Sequence, residues 1–209
     1  MKVDELLSRF EQTKLGATEA QIARLEKSLN AKLPNDYKAF LAICNGGKLD
    51  EQLEVSFRSD RYVDGYGNAI VERFFAIGSR GETAVRPVKK HLSEIGQLPE
   101  NTPDHVICIA DDYSGNAITL DLRSRSYGQI GLIDHELIGE SFDDSEGYQV
   151  VSSSFSDFVA GLRDPSEYES IDPESGRHSW VPDGNVGLWV MLIGLAASLI
   201  VLAWLGEFS

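Results

Sequence analysis

Hydrophobic positions near the start of the chain repeat with the spacing of amphipathic α-helices. The pattern predicts a short first helix over residues 3–12, after which Gly16 breaks the period. Thr18 and Gln21 have the spacing of a capping box, in which the Thr18 hydroxyl accepts from a backbone N–H three residues on. A second helix is therefore expected to begin there. Its inward-facing side chains are predicted to be Ile22, Leu25 and Leu29.

A third helix is predicted after Leu33-Pro34, because a proline in the first turn lacks only a donor that the turn leaves unpaired anyway. Asn45, Gly46 and Gly47 are expected to end this helix, since these residue types accept positive φ. A closing helix is predicted after Ser154, which is a favoured capping residue. The predicted buried positions of these two helices are Tyr37, Phe40, Leu41, Cys44, Phe155, Phe158, Val159 and Leu162.

Between these helices the hydrophobic period changes from near 3.6 to 2, which is typical of half-buried strands. Leu53, Val55 and Phe57 alternate with polar residues and predict the first strand. A helix over residues 88–98 is predicted inside the strand region. The later connections are short and turn-forming, so an antiparallel meander is the simplest arrangement. Further strands are predicted over residues 73–78, 106–110, 117–122 and 129–133.

The most apolar part of the sequence is residues 186–206, which contain 21 consecutive residues without a charge. As a helix this segment spans about 30 Å, the thickness of the hydrocarbon core of a bilayer. The alternative is a buried C-terminal helix of the domain, but such helices keep a polar stripe and no face here has one. We therefore predict a single transmembrane helix. Its membrane-anchoring side chains are Leu188, Trp189, Val190, Leu192, Ile193, Leu195, Leu199, Ile200, Val201, Leu202, Trp204 and Leu205.

The predicted span determines the predicted topology. Residues 1–10 contain acids and no apolar stretch of the length that a secretory signal needs. The N-terminal domain is therefore expected in the cytoplasm, with a single-pass anchor and a short exported tail at residues 207–209, which contain no Lys or Arg. Residues 1–162 are predicted to form one domain, and the proline-containing residues 163–185 a flexible acidic linker.

Charge narrows the kind of partner. The formal net charge is −14, and residues 1–162 carry 17 basic and 26 acidic side chains. Such a balance disfavours nucleic acid, which is bound through cations that neutralise phosphates, and favours a basic protein partner. Cys44 and Cys108 both lie in apolar surroundings without a CxxC spacing, so they are predicted to be reduced core residues. No cofactor or metal site is predicted, and the sequence leaves the oligomeric state open.

Several motifs carry a resemblance to a known family. They are Thr18-Glu19-x-x-Ile22-x-x-Leu25-Glu26, Leu33-Pro34-x-Asp36-Tyr37-x-x-Phe40-Leu41, Cys44-Asn45-Gly46-Gly47, Val106-Ile107-Cys108-Ile109-Ala110-Asp111, Gly115-Asn116, Leu120-Asp121-Leu122, Ile133-Asp134-His135 and Ser154-Phe155-x-x-Phe158-x-x-x-Leu162. Over about residues 18–162 the chain resembles the SMI1/KNR4 family, also called the SUKH superfamily. The resemblance implies an α+β fold with a central antiparallel β-sheet flanked by helices.

The resemblance also implies a function without catalysis. Many bacterial members of the family are immunity proteins that bind and neutralise toxins, and eukaryotic relatives regulate cell-wall synthesis. The chain is therefore expected to be a membrane-anchored immunity protein that neutralises a bacterial toxin by direct binding. The alternative is a membrane-tethered adaptor that recruits a cytosolic or envelope-synthesis protein. A catalytic role would require an apolar pocket with convergent polar groups.

An acidic run over residues 134–146 is the candidate binding surface. Asp134-His135-Glu136 suggests acid–base chemistry, but consecutive strand residues point to opposite faces, so a strand-end cluster is the better interpretation. Asp112 to Asn116 resembles a calcium loop, yet Arg123 occupies the position of its bidentate acid and a turn explains the residues better. The run is either a solvated face or a docking surface for a basic toxin. The candidate partner-binding residues are Asp111, Asp112, Asp134, Glu136, Glu140, Asp143, Asp144 and Glu146.

Overall fold

A computed structural model of the chain describes residues 1–63, 65–78, 84–112, 115–142 and 146–165. The chain divides into two units, Met1–Glu167 and Tyr168–Ser209, and the second lies outside the described residues. The predicted transmembrane helix and exported tail, and the predicted linker beyond residue 165, therefore also lie outside them. No helix within the described ranges combines the length and the hydropathy needed to cross a membrane.

The fold is α+β, with an antiparallel sheet and five helices among the described residues, and this confirms the predicted fold class of the domain. The helices are α1 Val3–Ser8, α2 Glu19–Leu29, α3 Asn35–Ile43, α4 Val88–Glu94 and α5 Phe155–Gly161. The strands are β1 Phe10–Leu15, β2 Cys44–Arg58, β3 Tyr66–Phe74, β4 Arg86–Pro87, β5 Val106–Asp111, β6 Ala117–Asp121, β7 Ile130–Ile133 and β8 Tyr148–Ser152. Their order in the sheet is β1-β2-β3-β5-β6-β7-β8, and β4 pairs with β5.

The predicted helix N-caps at Thr18 and Ser154 are confirmed. Thr18 is the N-cap of α2, and its hydroxyl accepts from the Gln21 backbone N–H at 3.3 Å while the Gln21 side chain accepts from the Thr18 N–H at 2.9 Å. Ser154 is the N-cap of α5 and accepts from the Asp157 N–H at 3.0 Å. The meander of β5, β6 and β7 is confirmed as well.

The first predicted helix is too long. The helix ends at Ser8, and residues from Phe10 form β1, which pairs antiparallel with β2. The Phe10 side chain still reaches the core from the strand, because its ring lies 5.8 Å from that of Phe74. An apolar residue at position 10 satisfies either period, so the pattern alone did not exclude a strand.

The Asn45-Gly46-Gly47 segment was predicted to end α3. It lies instead within β2, and α3 ends at Ile43. Gly46 has a φ of 75°, and a Cβ there would lie 2.6 Å from the Phe75 carbonyl oxygen, so the strand requires a glycine. The Asn45 side chain bonds the Ile77 backbone twice, donating to its carbonyl at 3.0 Å and accepting from its N–H at 2.8 Å. The motif therefore connects two segments of the sheet region.

Other element boundaries also differ. The strand predicted over residues 73–78 begins earlier, as β3 at Tyr66, and ends at Phe74. Helix α4 stops at Glu94, and Ile95 is 42 % exposed. Strand β8 was not predicted.

An aromatic cluster joins the helices to the sheet. The Phe155 ring of α5 lies 5.0 Å from Tyr37 and 5.1 Å from Phe40 of α3, and Phe40 lies 5.4 Å from Phe74 of β3. Cys44 and Cys108 are buried free thiols. After α5, Arg163 exchanges two backbone hydrogen bonds with Glu54, each 2.9 Å long. The packed part of the chain thus continues past residue 162.

Candidate protein-binding surface

Backbone hydrogen bonds join described residues of the loop between β2 and β3. The Ser59 N–H donates to the Gly65 carbonyl at 3.0 Å, and the Gly65 N–H donates to the Tyr62 carbonyl at 2.8 Å. Gly65 has a φ of 76°, a conformation that glycine adopts without strain. Tyr62 and Val63 lie at the apex of this loop and are exposed.

Two side-chain contacts join this loop to β8 and to the turn just before it, although the partners are 85 and 90 residues apart in sequence. The Ser59 hydroxyl donates to the Gln149 side-chain oxygen, and Arg61 Nη2 donates to Glu146 Oε2 at 3.0 Å. Between the two segments lies an open groove of about 580 Å³. It is lined by Ser59, Asp60, Arg61, Glu146, Tyr148 and Gln149.

The first acids of the predicted run lie in a turn directly after β7 rather than in a strand. The Asp134 N–H donates to the Gly147 carbonyl at 2.8 Å, and its carboxylate accepts from the Glu136 N–H at 3.0 Å. His135 pairs with the Asn116 side-chain oxygen, which lies 3.0 Å from His135 Nδ1 and 3.1 Å from its backbone nitrogen. In this arrangement His135 is engaged by Asn116 and not by the adjacent carboxylates, so the turn lacks the geometry of an acid–base pair.

The turn, the groove and the β2–β3 loop form one surface, because Gly147 contacts Asp134 and its neighbour Glu146 contacts Arg61. We call this surface the acidic face. Glu140 lies farther along the same loop, where its carbonyl accepts from the Glu100 N–H at 2.7 Å. The acidic face consists of the acids Asp60, Asp134, Glu136, Glu140 and Glu146 and the exposed apolar residues Tyr62, Val63 and Leu137.

The remaining sequence candidates lie elsewhere. Asp111 is 8 % exposed, and both of its carboxylate oxygens accept from the Arg73 guanidinium. Burial raises the pKa of Asp111, against the effect of Arg73. Asp112 is also buried and accepts from the Asn116 backbone at 3.1 Å and side chain at 2.8 Å, as the turn interpretation predicted. Neither acid contributes to the acidic face. Asp143 and Asp144 lie outside the described residues.

A second polar cluster is structural in character. Arg86 Nη2 lies 2.7 Å from His91 Nδ1, and His91 is only 6 % exposed. Burial, together with the positive charge of Arg86, lowers the pKa of His91 to about 4. A neutral His91 accepts the Arg86 hydrogen bond at neutral pH. Within the described part of the chain, no group of three or more His, Cys, Asp or Glu side chains is arranged to hold a metal ion.

The sequence model of the SMI1 / KNR4 family (SUKH-1) matches residues 16–161, about two thirds of the chain. The chain belongs to this family. SUKH domains typically bind protein partners and are commonly immunity-type modules, and SMI1/KNR4 is not a known enzyme family. No curated protein matches the chain.

The acidic face therefore lies on a SUKH domain. Four of its residues were not predicted from the sequence. Ser59, Arg61, Tyr62 and Val63 were not candidates, because only the pairing of β8 with β7 brings them beside the acidic turn. The one available signal was the pair of apolar residues at positions 62 and 63 inside a polar loop. Contiguous exposed apolar surface rimmed by polar residues marks interaction sites, whereas single exposed apolar residues are common.

Proposed function

We propose that this SMI1/KNR4 protein is a non-enzymatic, membrane-anchored immunity protein that neutralises a bacterial toxin by direct binding. The observation that carries the proposal is the acidic face, in which exposed apolar side chains lie among exposed acids. Among the described residues, no Lys, Arg or His side chain forms an ion pair with Asp134, Glu136 or Glu140. Their charge is thus available to a partner.

The distribution of charge supports a basic partner. Residues 49–162 contain 9 basic and 20 acidic side chains, whereas residues 1–48 contain 8 and 6. Complementary charge accelerates association and excludes like-charged competitors. A toxin that acts on nucleic acid must itself be basic, because it has to hold phosphates. The acidic face is suited to such a protein.

The apolar segment at residues 186–206 supports the membrane part of the proposal. We propose that it anchors the domain at the cytoplasmic side of the membrane through the linker. A flexible linker of about 20 residues extends on average roughly 25 Å. The domain would then capture a toxin at or near the membrane, before the toxin reaches the rest of the cell.

Co-expression with the protein encoded by the neighbouring gene tests the proposal. The full-length chain is expected to bind that protein and to protect cells from it. The double substitution Glu136→Lys with Glu140→Lys is expected to slow association at least tenfold at low salt, since it reverses two charges of the acidic face. The matched control, Glu19→Lys with Glu51→Lys, changes net charge equally at two exposed acids outside the face.

Two results would contradict the proposal. In the first, the neighbouring protein does not bind and deletion of the chain leaves cells equally protected. In the second, the two double variants bind at the same rate. A stable complex with a cytosolic or envelope-synthesis protein, without protection from any toxin, would instead indicate a regulatory adaptor.

A further inference from the structure

A groove of about 450 Å³ lies between α2 and α3 and shares no lining residue with the acidic face. The charges of Glu26 and Lys38, which both line it, are already compensated. Glu26 accepts from Lys32 Nζ at 2.6 Å and lies 3.7 Å from Lys38 Nζ. The groove is therefore suited to an uncharged, apolar group. Its apolar lining residues are Ile22, Ala23, Ala39 and Ala42.

A single leucine projects from the surface beside this groove. Leu15, the last residue of β1, is 94 % exposed. The chain after it is fixed against α3, because the Ala17 N–H donates to the Leu41 carbonyl at 2.7 Å. Gly16 lies so close to α3 that an added Cβ would be 1.9 Å from the Ala42 carbonyl oxygen. Since Ala42 also lines the groove, Leu15 is held next to it, and its exposure shows that it does not enter the groove of its own chain.

The projecting leucine and the groove make this surface complementary to a second copy of itself. A two-fold axis that lies in the contact plane, midway between Leu15 and the groove, places each Leu15 in the groove of the other copy. Both contacts then form together. Ile43, which follows Ala42 and is 58 % exposed, enlarges the apolar area that leaves water when the two copies meet.

Charge also favours this side of the molecule for contact between copies. Residues 14–43, which include Leu15 and both helices of the groove, contain 5 basic and 3 acidic side chains. The rest of the chain contains 14 basic and 30 acidic side chains, since the totals are 19 and 33. Two copies that approach through acid-rich surfaces repel each other, whereas contact through residues 14–43 avoids that repulsion.

We infer that two copies of the chain associate through this surface, each Leu15 entering the groove between α2 and α3 of the other copy. The inference goes beyond the proposed function and does not depend on it. The contact uses none of the residues of the acidic face, so the dimer presents two such faces to other proteins.

Sedimentation velocity of the full-length chain in detergent, over a range of concentrations, tests the inference. We expect a monomer–dimer equilibrium. Leu15→Ala removes the projecting side chain, and Ala39→Leu fills the groove. Each variant is expected to raise the Kd of the dimer at least tenfold, because each change acts twice in a two-fold dimer.

Matched controls place similar changes outside this surface. Val150→Ala shortens an exposed aliphatic side chain of β8, and Ala160→Leu enlarges an exposed alanine of α5. Both controls are expected to dimerise like the unaltered chain. Leu15 and Ala39 are themselves exposed, so thermal melts of their variants serve only to confirm folding.

A mixture of the Leu15→Ala and Ala39→Leu chains is the sharper test, since the first supplies an intact groove and the second an intact leucine. The mixed dimer retains one of the two contacts, whereas neither variant alone retains any. We therefore expect the mixture to dimerise about threefold more tightly than either variant alone. A general loss of stability in either variant would not be relieved by mixing.

Four results would overturn the inference. The full-length chain sediments as a monomer at every concentration, or it dimerises and both variants dimerise as tightly as their controls. In the third, the variants weaken the dimer but mixing them restores nothing. In the fourth, the chain stays monomeric and Leu15→Ala weakens binding of the neighbouring-gene protein, so that this surface takes a different protein.

Discussion

Buried acids of this domain are paired with neighbouring groups, whereas several exposed acids of the turn after β7 have no ion-pair partner among the described residues. Asp121 is 1 % exposed, and its carboxylate accepts from the Arg123 backbone at 2.8 Å, from the Arg123 guanidinium at 2.6 Å and from the Ser126 hydroxyl at 2.7 Å. Glu136, in the acidic turn, is exposed. The same functional group is thus a fold-determining element in one place and an available charge in the other.

Glu26 shows how completely a buried acid is compensated. It accepts from Lys32 Nζ at 2.6 Å and from the Leu33 N–H at 3.0 Å, and it lies 3.7 Å from Lys38 Nζ. Burial opposes its ionisation, but the hydrogen bonds from Lys32 and Leu33 outweigh burial and lower the pKa of Glu26. Glu26 ties α2 to the start of α3. A total charge therefore says little about binding until paired and available acids are separated.

The largest expected effect is at the buried end of this comparison. Asp121→Ala leaves the Arg123 guanidinium and the Ser126 hydroxyl without their carboxylate, and breaking a buried pair in this way costs about 3–5 kcal/mol of unfolding free energy. Urea unfolding followed by circular dichroism measures the loss. The control is Glu136→Ala, at an exposed acid of the turn after β7, with an expected change of less than about 1 kcal/mol. Equal losses in the two variants would contradict the distinction between buried and exposed acids.

The next effect concerns pH and the buried His91. In the folded chain the pKa of His91 is about 4, below the 6.5 of an unperturbed histidine. Above pH 6.5, His91 is therefore mostly neutral in both the folded and the unfolded chain. Between these values the unfolded chain binds a proton that the folded chain does not. Stability is therefore greatest above pH 6.5 and falls toward pH 4, by as much as about 3 kcal/mol from this residue.

The variant His91→Gln isolates that contribution, because other acids also titrate in this range. Burial raises the pKa of Asp111, of Glu54 and of Glu72, and their protonation on folding acts in the opposite direction. Unfolding free energies at pH 7 and pH 4.5 are compared for both chains. The variant is expected to be less stable at pH 7 yet to lose less on acidification. An unchanged difference between the two pH values would show that His91 does not titrate as described.

The sequence predicted the elements whose signals are local. The capping box at Thr18, the N-cap at Ser154 and the meander of β5 to β7 depend on neighbours within a few residues, and all are confirmed. The Asn45-Gly46-Gly47 segment was misassigned because its glycines are required by contacts with Phe75 and Gln12, which are distant in sequence. Positive φ alone did not distinguish a helix end from a distorted strand.

The binding surface was predictable only in part for the same reason. The acids after Ile133 are evident from composition, but their proximity to Tyr62 and Val63 depends on β8, a strand that lacks an alternating pattern. Asp111 illustrates the converse. It was a candidate binding residue because of its charge. The sequence did not show that its partner Arg73 lies on β3, directly opposite it in the ladder. Long-range strand pairing therefore determined which acids are paired and which remain available.

The smallest expected effect tests the exposed end of the comparison. Glu136→Lys with Glu140→Lys reverses two charges that make no ion pair among the described side chains, so the unfolding free energy is expected to change by less than about 0.5 kcal/mol. We expect a small gain in unfolding free energy, because the protein has a net charge of −14 and its acids repel one another. Raising the salt concentration would reduce that gain, because screening weakens repulsion between exposed charges. Thermal melts at low and high salt measure it. A loss above 1 kcal/mol would show that these acids stabilise the fold and are not available for a partner.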